Sequence, residues 1–206
     1  NIMSNYNNIQ FTNKEIREKI INNTLLMIKR RHNNNDNNIQ DILSKIKNKD
    51  DPIIKFEFLG EKYSLNILNT KITSILSKSP LDDYLTNNIS ERKLIIIKNP
   101  SKRVIKQIIK GYKNAEFFYF HELIDDIMKK LFIPKHILLT DDEIENLTEK
   151  IKINELSKIH DTDPMSRYYN AKKNNVFKII RPNLTSGESI FYRIVVPGNI
   201  NNIYLD

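Results

Sequence analysis

Four consecutive apolar residues, Leu94-Ile-Ile-Ile97, constrain this chain more than any other segment. A short, mostly β-branched run with no polar side reads as a strand buried on both faces. It leads into Asn99-Pro-Ser101, a helix start, and then into Val104, Ile105, Ile108, Ile109 and Tyr112 at helical spacing. That spacing predicts a helix over 102–113 with those five residues as its apolar face. Residues 115–120 (AEFFYF) read as the next strand. Strand, helix and strand around a buried central strand make an α/β module.

The flanking segments extend it. Residues 53–59 alternate, with Ile54, Phe56 and Phe58 on one side, and Gly60-Glu-Lys62 turns them into a second strand at 63–68. Thr12-Asn-Lys-Glu15 has the capping-box pattern and opens a helix at 13–31, with Ile16, Ile20, Ile21, Leu25 and Ile28 in register. Residues 1–11 read as frayed, 32–38 (HNNNDNN) as a polar loop, 39–47 as a short helix and Asp50-Asp-Pro52 as a turn.

The character changes near Asp125. Residues 131–139 (LFIPKHILL) are apolar but broken by Pro134. Thr140-Asp-Asp-Glu143 is a second capping box, ahead of Ile144, Leu147 and Ile151 on one helix. Asp163-Pro164 starts a short helix through Tyr169, and Asn170 is placed to end it in the left-handed region. The runs 176–181 and 190–196 should pair antiparallel across a loop containing Gly187. The expected class is α+β, divided into an N-terminal α/β domain over 1–124 and a small α+β domain over 125–206 that ends in antiparallel strands.

Several chemistries lack their residues. There is no cysteine, which removes thiol catalysis, disulfides and zinc ribbons. His32, His121, His136 and His160 are too far apart in sequence for a metal-ligand motif, and the four glycines form no phosphate cradle. No G-x-S-x-G elbow occurs. Neither a cofactor nor a metal is expected. The apolar runs stop at four residues, against about 20 for a spanning helix, so neither a membrane span nor a secretory leader is expected. Glu91-Arg-Lys93, with Asp82 or Asp83 upstream, has the E-x-K form of metal-dependent nucleases. It precedes the predicted strand, and chance supplies one such triplet in so lysine-rich a chain. It keeps open one alternative, a free-standing DNA-binding or nuclease-like α/β protein.

Charge separates the halves. The formal net charge is +8. Residues 1–130 hold 23 Lys and Arg against 15 Asp and Glu, net +8, and residues 131–206 hold 10 of each, net 0. Ile, Asn and Lys contribute 88 of 206 residues, as an A/T-rich genome would impose, but that drift alone would spread lysine evenly. Lys102, Lys106, Lys110 and Lys113 share one face of the predicted helix, with Arg103 beside them. The stripe reads either as a solvated face or as a DNA-proximal one. Lys29-Arg30-Arg31 is a weaker candidate, because cations at a helix C-terminus also suit the dipole.

An ordered set of short motifs then carries a resemblance. F-I-P-K-H-I-L-L-T-D-D-E (132–143), L-S-K-I (156–159), D-P-M-S-R-Y-Y (163–169), V-F-K-I-I-R (176–181) and F-Y-R-I-V (191–195) follow at compact spacing. Together they resemble the C-terminal assembly domain of the fifth-subunit family of multisubunit RNA polymerases, which has archaeal and eukaryotic members. The N-terminal half resembles, more loosely, the α/β jaw of the eukaryotic ones. The chain departs from the pattern at Asn170 and at Asn174 or Asn175, where the family has Gly, and at Ser157, where it has Pro. Asn tolerates positive φ, so the turns should survive. The loop Asn183–Gly187 keeps only Thr185 and Gly187.

The resemblance implies a non-catalytic subunit of a DNA-directed RNA polymerase from a divergent lineage, cellular or viral. It would be intracellular: nuclear if cellular, in the host cytoplasm and virion if from a large DNA virus. Its C-terminal domain would dock on the largest subunit beside other small subunits, and its jaw would lie near downstream double-stranded DNA. The matched residues offered for docking are Pro134, Lys135, His136, Asp163, Pro164, Arg167, Tyr168, Lys178, Arg181, Tyr192 and Arg193. Bland roles compete. Pro134 and Pro164 suit helix starts and turns, Tyr168 and Tyr192 suit core positions, and His136 suits a structural hydrogen bond. Arg167 and Arg193 could pair with Asp161 or Asp163 within the domain.

Overall fold

The computed structural model describes residues 12–32, 38–47, 51–130, 132–183 and 187–203. The segment 1–11, most of the Asn-rich loop, Asp50 and Thr185 lie outside the described residues. The chain is α+β with two four-stranded mixed sheets.

Helix α1 (Asn13–Arg31) starts at the Thr12 capping box, with the Thr12 N–H donating to Glu15 Oε2 at 2.7 Å. Helix α2 (Asn38–Lys47) follows. Strands β1 (Ile53–Phe58) and β2 (Glu61–Ile72) form an antiparallel hairpin. Its two turn residues, Leu59 and Gly60, both have positive φ, the geometry that matches strand twist. Strand β2 then runs parallel to β3 (Arg92–Pro100), and β3 parallel to β4 (Ala115–Tyr119), in the order β1-β2-β3-β4.

The buried run works as its composition demands. Successive strand side chains point to opposite faces. Leu94 and Ile96 enter a core with α1, while Ile95 and Ile97 enter a second core with Val104, Ile105 and Ile108 of helix α4 (Lys102–Gly111). All four are 0% exposed. Helix α3 (Pro80–Thr86), capped by Ser79, packs Tyr84 and Leu85 into that second core. Apolar periodicity does not announce so short a helix, although Ser79-Pro80 is itself a cap followed by proline at the first helical position.

Three expectations about this half change. Helix α4 ends at Gly111, so Tyr112 is its cap and Lys113 lies outside it. Ile109 is 40% exposed and not part of the apolar face. Strand β3 begins at Arg92, so Lys93 lies inside it rather than before it.

A short helix, α5 (Phe120–Leu123), joins the first sheet to the second half. There the elements are β5 (Lys135–Leu138), α6 (Asp141–Thr148), β6 (Ser157–His160), α7 (Pro164–Tyr168), β7 (Val176–Asn183) and β8 (Gly187–Val196). The sheet order is β5-β7-β8-β6, with β7 and β8 antiparallel as expected and β6 parallel to β8. Its two faces hold separate cores, Phe177, Ile179 and Val195 on one side and Val176 and Ile194 on the other. The capping box at Thr140 forms, but α6 ends at Thr148 and leaves Ile151 beyond it. Helix α7 has Asp163 as its cap and ends one residue before Tyr169. Asn170 and Asn174 both have positive φ (51° and 73°), so both turns take the left-handed conformation expected of them.

Candidate subunit interface

Three arginines lock the two halves together. Arg30, at the end of α1, donates two hydrogen bonds to the Asp126 carboxylate at 2.6 and 2.7 Å and a third to the Tyr168 hydroxyl at 2.7 Å. Arg31 forms a fork on Glu116 at 3.1 and 2.7 Å, and also reaches the carbonyls of Tyr168 and Arg167. Arg167 returns from α7 to Glu122 at 2.6 and 3.2 Å and to the Phe117 carbonyl. Glu122 in turn accepts the Tyr119 N–H at 2.8 Å. The planar fork of arginine suits two-point recognition of carboxylates. Arg31 and Arg167 also pack over Phe118 and are 7% and 12% exposed, so these pairs are largely but not fully buried.

The seam settles several assignments. Arg30 and Arg31 both spend their guanidinium groups within the seam. Arg167 pairs with neither Asp161 nor Asp163, but with Glu122 across the seam. Tyr168 is 4% exposed and belongs to the core around α1. Burial pushes Asp126 up, but its Arg30 bonds prevail and its pKa ends below the usual carboxylate range. Burial raises the Tyr168 phenol.

His136 is also structural. It is buried, Nδ1 lies 2.8 Å from the Pro134 carbonyl, and its ring stands edge-on to Phe177. Burial lowers its pKa, with the Pro134 bond opposing, which favours neutral imidazole at pH 7. Asp163 caps α7 through Met165 N–H at 2.9 Å. Pro134, Lys178, Tyr192 and Arg193 are half-buried, Tyr192 against the Val176 core.

Lys135, Pro164 and Arg181 remain exposed among the docking candidates. Arg181 lies over the ring of Phe191, 5.1 Å from its centroid. Phe191 and its neighbour Ile190 are 48% and 51% exposed on the β7–β8 hairpin, which extends past the cores. Sequence reasoning missed this pair as a surface. The only signal was local: Ile190 and Phe191 are adjacent apolar residues at the hairpin end of the strand, one on each face, so both cannot face a single core.

In the N-terminal half, Lys102, Arg103, Lys106 and Lys110 form an exposed strip on α4, opposite its buried residues. Lys113 leaves that strip and, with Lys110, lines a cleft between the halves. The E-x-K triplet has a structural use. Lys93 is 2% exposed, and its ammonium donates to the Leu85 carbonyl at 2.6 Å and to that of Asn87, closing the end of α3. Burial lowers its pKa. Asp82 accepts the Tyr112 hydroxyl at 2.6 Å, which holds it below the usual range. Among the described residues no three acidic or histidine side chains gather as a metal site, and no helix is long and apolar enough to cross a membrane.

Comparison with known proteins gives these features a context. The family model described as "RNA polymerase Rpb5, C-terminal domain" matches residues 125–195. "DNA-directed RNA polymerase subunit 5" of Acanthamoeba polyphaga mimivirus is 32% identical over 139 residues, 66% of this chain and 67% of that protein. "DNA-directed RNA polymerases I, II, and III subunit RPABC1" of Caenorhabditis briggsae is 31% identical over 162 residues, 76% of this chain and 73% of that protein. "DNA-directed RNA polymerase subunit Rpo5" of Thermofilum pendens is 39% identical over 75 residues, which are 35% of this chain but 94% of that protein. With a viral, a nematode and an archaeal relative all matching, the chain belongs to the RNA polymerase subunit 5 family, whose members are non-catalytic subunits.

Proposed function

We propose that this subunit docks through its C-terminal domain, residues 125–206, on the largest subunit of a DNA-directed RNA polymerase, beside neighbouring small subunits. Its N-terminal domain, residues 1–124, then serves as a jaw beside downstream duplex DNA. The observation that carries the reading is the β7–β8 hairpin, where Phe191 is half-exposed beside Arg181 on one face and Ile190 is half-exposed on the other. Aromatic and arginine side chains of this kind anchor protein interfaces. The hairpin belongs to the charge-neutral half, and the net charge of +8 lies in the other, which suits a division between protein and phosphate partners. Lys135 and Pro164 are kept as candidate rim contacts, and Lys102, Arg103, Lys106 and Lys110 as the DNA-facing strip. The mimivirus relative supports a viral lineage, with the host cytoplasm and virion as its place of work.

The nuclease-like alternative loses its lysine, because Lys93 is spent on the end of α3.

The test is co-purification with the two largest polymerase subunits. The double variant Ile190→Asp/Phe191→Asp should keep the wild-type melting temperature and lose at least about tenfold in affinity for the complex, as hot-spot losses run. Wild-type recovery of the variant in the stoichiometric complex would overturn the docking assignment.

A further inference from the structure

The cleft between the two halves has a volume of about 450 Å³ and gathers four lysines, of which only Lys110 also belongs to the proposed DNA-facing strip. Lys110 and Lys113 come from the end of α4 and the loop after it, Lys172 and Lys173 from the turn after α7. All four are exposed. Lys172 Nζ donates to the neutral Asn170 side chain at 2.6 Å, and among the described residues the other three pair with no carboxylate. Two acids share the cleft. Glu116 is held by Arg31, while Asp161, whose Oδ1 accepts the Gly198 N–H at 2.8 Å, sets one carboxylate charge against the four ammonium groups. The one other cation, Arg167, is held by Glu122.

The wall is built closely. A Cβ on Gly198 would stand 2.4 Å from Thr162 Oγ1 and 2.9 Å from His160 Cβ, so only glycine lets this segment lie against the β6–α7 loop. Ser166 lies at the cleft, 0% exposed, and its hydroxyl has no hydrogen-bond partner among the described residues. A buried hydroxyl left in that state costs about 1–3 kcal/mol.

We infer that this cleft binds a small polyphosphorylated ligand of nucleotide size. Four exposed ammonium groups from two separate segments line the cleft against a single carboxylate free of any cation among the described residues, Asp161, and the arginine seam holds those segments side by side. A polyphosphate offers several anionic oxygens to such a cluster at once. The volume falls in the range of small-molecule pockets, about 300–1,000 Å³, and is too small for a duplex. Ile109, Phe117 and Ile200 supply an apolar side for the rest of the ligand. The site goes beyond the docking proposal and stands independently of it.

Calorimetry on the full chain tests this with ATP, inorganic tripolyphosphate and a short duplex DNA. ATP and tripolyphosphate should bind and compete. Tripolyphosphate as tight as ATP assigns recognition to the phosphates alone, and tighter ATP adds the apolar wall. Lys113→Glu/Lys173→Glu should weaken both at least about tenfold, the order expected for reversing charges at a binding site. Lys62→Glu/Lys150→Glu, which changes charge equally but away from the cleft, should stay within about twofold. Equal melting temperatures show that the variants fold. The inference is overturned if neither phosphate ligand binds at millimolar concentration, if the cleft variant binds like wild type, if both pairs weaken binding equally, or if only the duplex binds.

Discussion

Arginine and lysine divide the positive charge of this protein by place. At the seam between the halves, Arg30, Arg31 and Arg167 are half-buried or buried, and each grips a carboxylate with two nitrogens. On α4 and around the cleft the cations are mostly lysines, exposed to solvent. A guanidinium loses less on burial and fixes geometry with its fork, while an ammonium is strongly hydrated and stays a mobile point charge. The same sign of charge therefore closes the molecule in one region and faces outward in the other. A count of net charge, which treats the two alike, describes only the second region.

The largest effect should come from breaking the seam. Replacing Arg31 by Ala leaves Glu116 as an uncompensated, partly buried charge, and breaking such a pair costs about 3–5 kcal/mol. Urea denaturation should show that loss. Arg31→Lys should recover little of it, because one ammonium cannot replace a fork that serves Glu116 and two carbonyls. Full recovery by lysine would erase the distinction between the regions.

Acid should give an intermediate effect with a definite sign. The Asp126 pKa is lower in the folded protein than its ordinary value of 3.8. Its contribution is therefore present above that ordinary value and is lost as pH falls through the lower, folded one. Asp126→Asn should be less stable than wild type at pH 7, and the gap should narrow as the pH is lowered through that window. A gap that does not depend on pH would show that the Arg30 bonds do not require the charge.

The smallest effect should come from the exposed strip. Lys102→Glu/Lys106→Glu should leave stability within about 0.5 kcal/mol, as surface changes do. Each lost phosphate contact should take about one unit from the slope of log K against log salt for DNA retention by the assembled polymerase. Retention with an unchanged salt slope would make the strip a solvated face.

Local signals in the sequence were reliable where a few adjacent residues decide the outcome. The two capping boxes, the hairpin turn at Gly60, the buried run at Leu94 and the left-handed Asn170 all formed as read. Other local readings failed at element ends, and one strand was missed. The helix over 102–113 stops early at Gly111, a residue that often marks a helix end. Strand β6 has only Ile159 among its four residues in the core, so no alternation announced it. The seam was out of reach for another reason. Arg30 and Asp126 are 96 residues apart and Arg31 and Glu116 are 85 apart, so pairing depends on how both sheets are placed. The β7–β8 hairpin was readable in part: its strands were found, but neither Ile190 nor Phe191 was singled out as exposed.

One bond in the seam also governs how this chain behaves among its own copies. Strand β4 is an outer strand of the first sheet. The Lys93 N–H reaches the Asn114 carbonyl and Ile95 is level with Phe117, so Phe117 and Tyr119 turn their backbone groups away from β3. Such a bare edge is a template for adding another chain's strand. Here Arg167 covers the Phe117 carbonyl and Glu122 the Tyr119 N–H, and the two side chains bind each other. Together they imitate a neighbouring strand and stop the ladder. A subunit made before its polymerase partners arrive is thereby kept from aggregating along this edge, and variants of Arg167 should reveal the hazard as concentration-dependent self-association.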